Sequence, residues 1–384
     1  MLHLFSVTIL LIFKCTLYSQ ELENYKNYKV SKSKYKLIEI YKGLDHPFGL
    51  SFIDQKNLLI TEKGGKLLKV NTETGISREI EHSIPSVKFN NNSLFPQQGG
   101  LLDVYFNTND NLIYFTYSHQ FKNGKGQNDG SSTAIAKGKL VKDKIENFQI
   151  LLLAHPKEFI NKHWGSRILI KNDYLYAGFG DRDRGNVAQD SNNHLGSLVR
   201  IHTNGTHPKK NPAFSGYADW LPEIFSIGVR NPQGIAISPN NDDIIFSQHG
   251  PKGGDNISKV SFGANYGWKK IAWGGTEYSG KKIGKSNFDE KFEKPLKVWV
   301  PSIAVGSINF YSGETFREWE GDLIVSATKT NMLLRLDYSD GEFIDEEIIL
   351  KDKIGRIRDF TINNEGDIFI IVDEKDSSLW KLTK

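Results

Sequence analysis

The chain is 384 residues long, enough for two average domains or for one large all-β domain. Its 49 Lys and Arg nearly balance its 45 Asp and Glu, and the small positive excess is scattered as a solvated surface rather than gathered in a block. That distribution gives no support to nucleic-acid binding.

Residues 1–20 read as a leader rather than as part of the fold. Leu4 to Phe13 is an apolar run, followed by a polar stretch to Gln20. A run of about ten residues is too short to span a bilayer but has the length of a signal-peptide core. The expectation is export to the periplasm or beyond, with cleavage after Ser19 or Gln20. Cys15, the one cysteine, lies in this leader, so the mature chain 21–384 has no disulfide framework. Phe13-Lys14 before Cys15 is unlike the small residues that precede a lipid-modified cysteine. No transmembrane span is expected in the mature chain.

After a polar lead-in, one pattern returns along the chain: an apolar alternation, an Asn/Asp/Gly turn, and a second alternation. The first copy is Gly49–Ile53 with Leu58–Glu62, and a further strand follows at Lys66–Val70. The second is Leu101–Phe106 with Leu112–Ser118, and the third Arg167–Ile170 with Tyr174–Gly178. The fourth pairs Ile235–Ile237 with Asp243–Phe246. The fifth is Ser307–Tyr311 and, after a longer connection, Gly321–Ala327; the sixth is Arg358–Ile362 with Asp367–Asp373. Residues Ala136 to Phe148 read as strand and loop.

Six copies at a spacing of roughly 50 to 75 residues predict an all-β fold: a six-bladed β-propeller of four-stranded antiparallel blades with its ligand site on the axis. A small sheet cannot bury both faces alone, and packing blades around an axis solves that problem. Leu379–Leu382 is expected to share a blade with a strand near Tyr35–Tyr41, which closes the ring. The alternative is a pair of two-sheet sandwiches, against which stands the same internal order in every copy.

In a propeller the polar residues just before each inner strand converge on the axis. Here they include Gln98 before the second copy, His163 before the third, Arg230 and Asn231 before the fourth, and Arg356 and Arg358 at the sixth. Lys329 follows the second strand of the fifth. Four cations aimed at one axis repel one another in a dry pocket unless an anion joins them. The cleft is therefore expected to take a polyanion whose carboxylates or phosphates suit arginine forks. Arg356 and Arg358 stand at a spacing of two, which puts both on one face of an extended segment. Singly, each arginine is more readily a structural ion pair, and His163 alone more readily a structural histidine. Among cations, however, a histidine is held neutral and suits a general base. Gly250-Pro251 precede a Gly-Gly-Asp turn; such a loop either exposes carbonyls to a hard cation such as calcium or is a hairpin without an ion.

The segments HWGSR, GVRNPQGIA, QHGPKGGDN, NYGW, ATKTNMLLRLD and GRIRDF occur in this order. Together they resemble the soluble quinoprotein glucose and aldose sugar dehydrogenase family, over nearly all of the mature chain. The resemblance implies a six-bladed propeller that holds pyrroloquinoline quinone (PQQ) with calcium in an axial cleft and oxidises aldoses at C1 to lactones. It implies His163 as the base, Gln98 as a hydrogen-bond partner of the substrate hydroxyl or a quinone oxygen, and Arg230 and Asn231 at the quinone carbonyls. Lys329, Arg356 and Arg358 would pair with the cofactor carboxylates, and the Gly250 and Pro251 carbonyls would hold calcium. Tyr266 would be a ligand of a second, structural calcium.

Three departures matter. Lys162 stands before His163 where the glucose enzyme has an acid, so the base must be oriented from elsewhere. Asn256 replaces the Glu that serves the second calcium. Pro301-Ser302-Ile303 replaces a Trp-Pro-Thr turn, which implies a wider sugar pocket. No C-x-x-C-H run is present, so electrons are expected to leave to an external acceptor, a quinone or a separate cytochrome. Two other classes share the scaffold. A non-enzymatic binding propeller has no need of a base beside the cations, and a calcium-dependent lactonase needs carboxylate ligands where this axis is cationic.

Overall fold

The computed structural model describes residues 28–89 and 97–384, so the leader 1–20 with Cys15 lies outside the described residues. Six sheets of antiparallel strands form the molecule, and they are the predicted blades. The inner strands are Pro47–Phe52, Leu101–Asn107, Gly165–Lys171, Pro232–Ile237, Val305–Phe310 and Ile357–Ile362. Each packs against the next and the last against the first, which closes the ring. The sixth blade takes its outermost strand, Lys36–Leu44, from the start of the described chain, with Leu37 opposite Leu382 of Ser377–Thr383. Pairing the two ends of the chain in one sheet is what holds a propeller shut without a disulfide.

The core lies between blades, because alternate side chains of each strand face a neighbouring sheet. Leu59, Ile113 and Phe115 meet between the first two blades, and Ala236, Ile245, Val325 and Leu334 between the fourth and fifth. Each of these Leu, Ile, Val and Phe side chains contributes about 1.5–3 kcal/mol on leaving water. Where Ala136–Phe148 was expected to end in a loop, the structure has two long strands, Asn128–Val141 and Lys144–Leu153, joined by a tight turn. The fifth blade also gains a short parallel strand, Lys29–Val30, on its outer edge. Among the described residues no helix is long and apolar enough to cross a membrane.

Every inner strand carries a register shift near its start, at Pro47/Gly49, Leu101/Val104, Gly165/Ile168, Pro232/Gly234, Val305/Ile308 and Ile357/Asp359. A bulge inserts an unpaired residue and re-aims its side chain. Six bulges at one end of the ring turn six strand entrances toward the axis. The period-two argument for Arg356 and Arg358 is corrected here. Ile357 pairs with Val372 and Asp359 with Ile371, so Arg358 is the bulged residue and its aim comes from the bulge.

Candidate active site

An axial cleft of about 210 Å³ lies at the bulged end. Gln98, Asn231, Arg356 and Arg358 line it, as the sequence predicts, together with Lys63, His249 and Asp373, which the sequence reading did not assign. His163 and Arg230 are buried against each other beside it.

His163 sits in a left-handed conformation, φ 48°, uncommon outside glycine. Three contacts hold it there. Its backbone N–H donates to Gln98 Oε1 at 2.8 Å. Its Nδ1 lies 2.6 Å from Asp181 Oδ1, and its Nε2 receives Arg230 Nη2 at 3.1 Å. A carboxylate only accepts, so Nδ1 carries the proton and Nε2 the lone pair. Gly180 makes the close approach possible, since a Cβ there would stand 1.9 Å from the His163 carbonyl oxygen.

Burial, and then the charge of Arg230, lower the His163 pKa against the pull of Asp181. The imidazole is therefore neutral at pH 7, the state a general base requires. Burial alone would raise Asp181, but the His163 hydrogen bond, the charge of Arg230 and the Trp268 indole outweigh it. The indole N–H donates to Asp181 Oδ2 at 2.6 Å. Asp181 thus supplies the orientation that Lys162 cannot; Lys162 instead pairs with Asp183 at 3.2 Å on the exposed side.

Arg230 Nη1 donates to the Gly250 carbonyl at 3.0 Å, and its guanidinium lies 5.3 Å from the Trp268 ring centre. Asn231 Oδ1 accepts from the Gly165 N–H at 3.1 Å, locking the loop after His163. Gln98 commits its oxygen to the His163 backbone, so its amide nitrogen is the end it can offer a ligand. Arg356 Nη1 donates to the Thr328 carbonyl. The cleft lining reaches Thr328, while Lys329, the next residue, is half-buried beyond it.

The loop at Gly250 is pinned by Asp255, which accepts from the Gly250 N–H at 2.7 Å and from Ser302 Oγ at 2.8 Å. Asn256 is occupied with its own loop, donating to the Gly254 carbonyl and accepting from Gln248. Tyr266, expected at a second and separate ion, lies in its own loop. Its phenol donates to the Lys259 carbonyl at 2.5 Å and accepts from the Ser261 N–H, with its ring against Phe246. Among the described residues no three His, Cys, Asp or Glu side chains gather as a metal site, so a calcium here would rest on carbonyl oxygens.

Asp181, His249, Lys63 and Asp373 escaped the sequence reading for one reason. All follow the second strand of a blade, and an antiparallel hairpin returns that strand to the end where the first began. Only Lys329 was read by that rule.

The fold and this site define an enzyme of the propeller type, with an oriented neutral base at a cationic axial cleft. The glucose/sorbosone dehydrogenase family model matches residues 44–381. The aldose sugar dehydrogenase YliI of Escherichia coli (strain K12) is 32% identical over 349 residues, which cover 88% of this chain and 90% of the relative. Quinoprotein glucose dehydrogenase B of Acinetobacter calcoaceticus is 25% identical over 421 residues, 89% of this chain and 86% of the relative. The crystal structure of the soluble aldose sugar dehydrogenase of Escherichia coli in its apo-form superposes with a TM-score of 0.84 at 30% identity, over 91% of this chain and 99% of that one. The chain belongs to the glucose/sorbosone dehydrogenase family and is a sugar oxidoreductase.

Proposed function

We propose that this chain oxidises aldoses at C1 to lactones with PQQ and calcium, and passes the electrons to an external acceptor, a quinone or a separate cytochrome. The observation that carries the reading is the neutral His163, held by Asp181 and Arg230 at the edge of a cleft with excess positive charge.

The residues present fit an anionic cofactor. Arg230 Nε and His249 Nε2 are buried at the cleft without a hydrogen-bond partner among the described residues. Such groups cost free energy unless a ligand meets them. Lys63, Arg356 and Arg358 face one carboxylate, Asp373, on the cleft wall. Lys329, Arg356 and Arg358 would hold the cofactor carboxylates, and Arg230 and Asn231 its carbonyl edge. Gly250 and Pro251 offer two carbonyls; a hard cation takes six to eight oxygens, so the remainder would come from the cofactor and water. When bound, PQQ supplies the two-electron acceptor, and calcium makes it more electrophilic.

The chain's own part is acid–base and electrostatic. His163 Nε2 takes the proton of the sugar C1 hydroxyl, displacing its hydrogen bond from Arg230. Asp181 stabilises the imidazolium that results and keeps the ring aimed. Gln98 orients the hydroxyl through its amide nitrogen. Arg230, released from His163 Nε2, offers its N–H groups to developing negative charge. Pro301-Ser302-Ile303, in place of a Trp-Pro-Thr turn, would leave the sugar pocket wider. The chain acts after export, with the leader 1–20 removed, which mass measurement of the secreted protein checks.

Reconstitution tests the reading. The mature chain is stripped with chelator, titrated with PQQ with and without calcium, and given a panel of aldoses with a dye acceptor. Calcium-dependent binding with dye reduction is expected. Binding without turnover on any aldose would overturn the substrate, and no binding would overturn the cofactor.

A further inference from the structure

Where the first blade meets the sixth, the cleft wall holds a charged group that the family motifs do not include. Lys63 follows the strand Asn57–Glu62 and Asp373 follows Ile368–Val372. They are 310 positions apart in sequence, yet Lys63 Nζ lies 2.6 Å from Asp373 Oδ1, and both side chains are buried. The other oxygen of Asp373 accepts from Arg358, whose Nε stands at 3.1 Å. The Asp373 N–H donates to the Arg356 carbonyl at 2.9 Å. Lys63 and Arg358 also lie over aromatic rings, Phe89 at 4.7 Å and Phe48 at 5.3 Å. Lys63, Arg356, Arg358 and Asp373 all face the cleft.

One carboxylate cannot satisfy two buried cations, Lys63 and Arg358, with the more exposed Arg356 beside them. Lys63 has three N–H donors and Arg358 five; Arg358 also donates to Gln233 Oε1 at 3.1 Å, and one carboxylate and one amide oxygen still leave part of that capacity facing the cleft. Asp373 is nonetheless essential to the wall, because without it two buried like charges, Lys63 and Arg358, would stand side by side with Arg356 next to them. Its own charge then lies where it repels an incoming anion. The same side chain stabilises the protein and weakens the hold on a ligand.

We propose that Lys63 and Asp373 form a carboxylate subsite of the cleft. Lys63 binds an anionic ligand directly, and Asp373 is a resident carboxylate that competes for Lys63 and Arg358 and so sets the anion affinity. The ligand class is an organic polycarboxylate, and its identification with PQQ rests on the function proposed above.

The test uses the mature full chain, stripped of metal and cofactor, as Asp373→Asn, Lys63→Met and the double variant. Calorimetric Tm is measured on each, with binding isotherms for PQQ in calcium and for citrate, a redox-inert tricarboxylate. Asp373→Asn is expected to lower Tm and to bind both ligands about tenfold more tightly, the scale of a charge a few ångströms away. Lys63→Met is expected to weaken both about tenfold. A lowered Tm with unchanged affinity in Asp373→Asn would reduce the pair to a structural salt bridge and overturn the proposal. So would a Lys63→Met isotherm matching wild type. If Asp373→Asn does not fold, the double variant restores the charge balance. Binding within threefold of wild type then supports the opposed roles, and a tenfold or greater loss overturns them. Citrate binding with these shifts but no PQQ binding would keep the subsite and remove the cofactor; binding of neither ligand by wild type would remove both.

Discussion

Two charged clusters lie on the same axis and are built from the same residue types. Deeper in the ring, Arg167 donates to Asp103 at 2.8 Å, to Asp359 at 2.6 Å, and to the Gln233 and Phe48 carbonyls. The carboxylates take up the rest: Asp103 accepts from the Ile168 N–H and Asp359 from the Phe360 N–H. The cation there is outnumbered by acceptors, and the cluster is closed. At the cleft the proportion reverses, with Lys63, Arg356 and Arg358 against Asp373 and with nitrogens on Arg230 and His249 that have no hydrogen-bond partner among the described residues. Burial and charge alone do not distinguish a structural cluster from a functional one; the balance of donors to acceptors does.

The sharpest way to break this contrast is to remove chemistry from one cluster and support from the other. His163→Ala in reconstituted protein is expected to lower kcat by about 10²–10⁴ while PQQ still binds, read by steady-state dye reduction and a binding isotherm. Arg167→Met should instead cost about 3–5 kcal/mol of stability, since it leaves two buried carboxylates without their cation. That loss is read as a fall in the urea midpoint.

The pH dependence of the Arg167→Met loss sharpens the point. Burial and the charge of Asp359 push Asp103 up to about 6, against Arg167. A carboxyl raised above its unfolded value, about 3.9, binds more protons in the native state. Its contribution is complete below pH 4 and is lost as pH rises through 6. Removing Arg167 raises this pKa further, so the gap between variant and wild type should be smallest near pH 4 and widest above neutrality.

Next in size are two variants that move the acid limb of the kcat profile in opposite directions. Arg230 lowers the His163 pKa and Asp181 raises it. Arg230→Gln should therefore shift the acid limb up, and Asp181→Asn shift it down, each by about one unit. A shift of both in the same direction would mean that His163 is not the titrating base. The smallest effect belongs to Lys162→Ala. Its partner Asp183 is about half exposed, and such pairs contribute about 0–1 kcal/mol. Turnover within twofold of wild type is expected; a larger loss would give the residue before His163 the orienting role assigned to Asp181.

The blades were legible because each one repeats a period-two alternation with a turn, and that pattern follows from burying one sheet against another. Gln98, His163, Arg230 and Arg358 were legible because glycine-rich polar blocks before an apolar alternation mark loops rather than core. Tyr266 came only from the motif it belongs to, and its phenol is hydrogen-bonded to the Lys259 carbonyl and the Ser261 N–H. Ala136–Phe148 shows the limit of local reading, since its second half is a strand only because the neighbouring strand supplies its hydrogen bonds.

The amino-acid sequence alone determined the repeat, the number of blades, the closing of the strand near Tyr35–Tyr41 onto the last, and the positive sign of the axis. These depend on local periodicity and on residue type, which a linear reading preserves. Only the tertiary structure decided which charges meet. Asp181 reaches His163 because the second strand of the third blade returns to the cleft. Lys63 reaches Asp373 because closing the ring sets the first blade beside the last. Partnerships of this kind are created by ring closure and strand return, and no spacing along the chain records them.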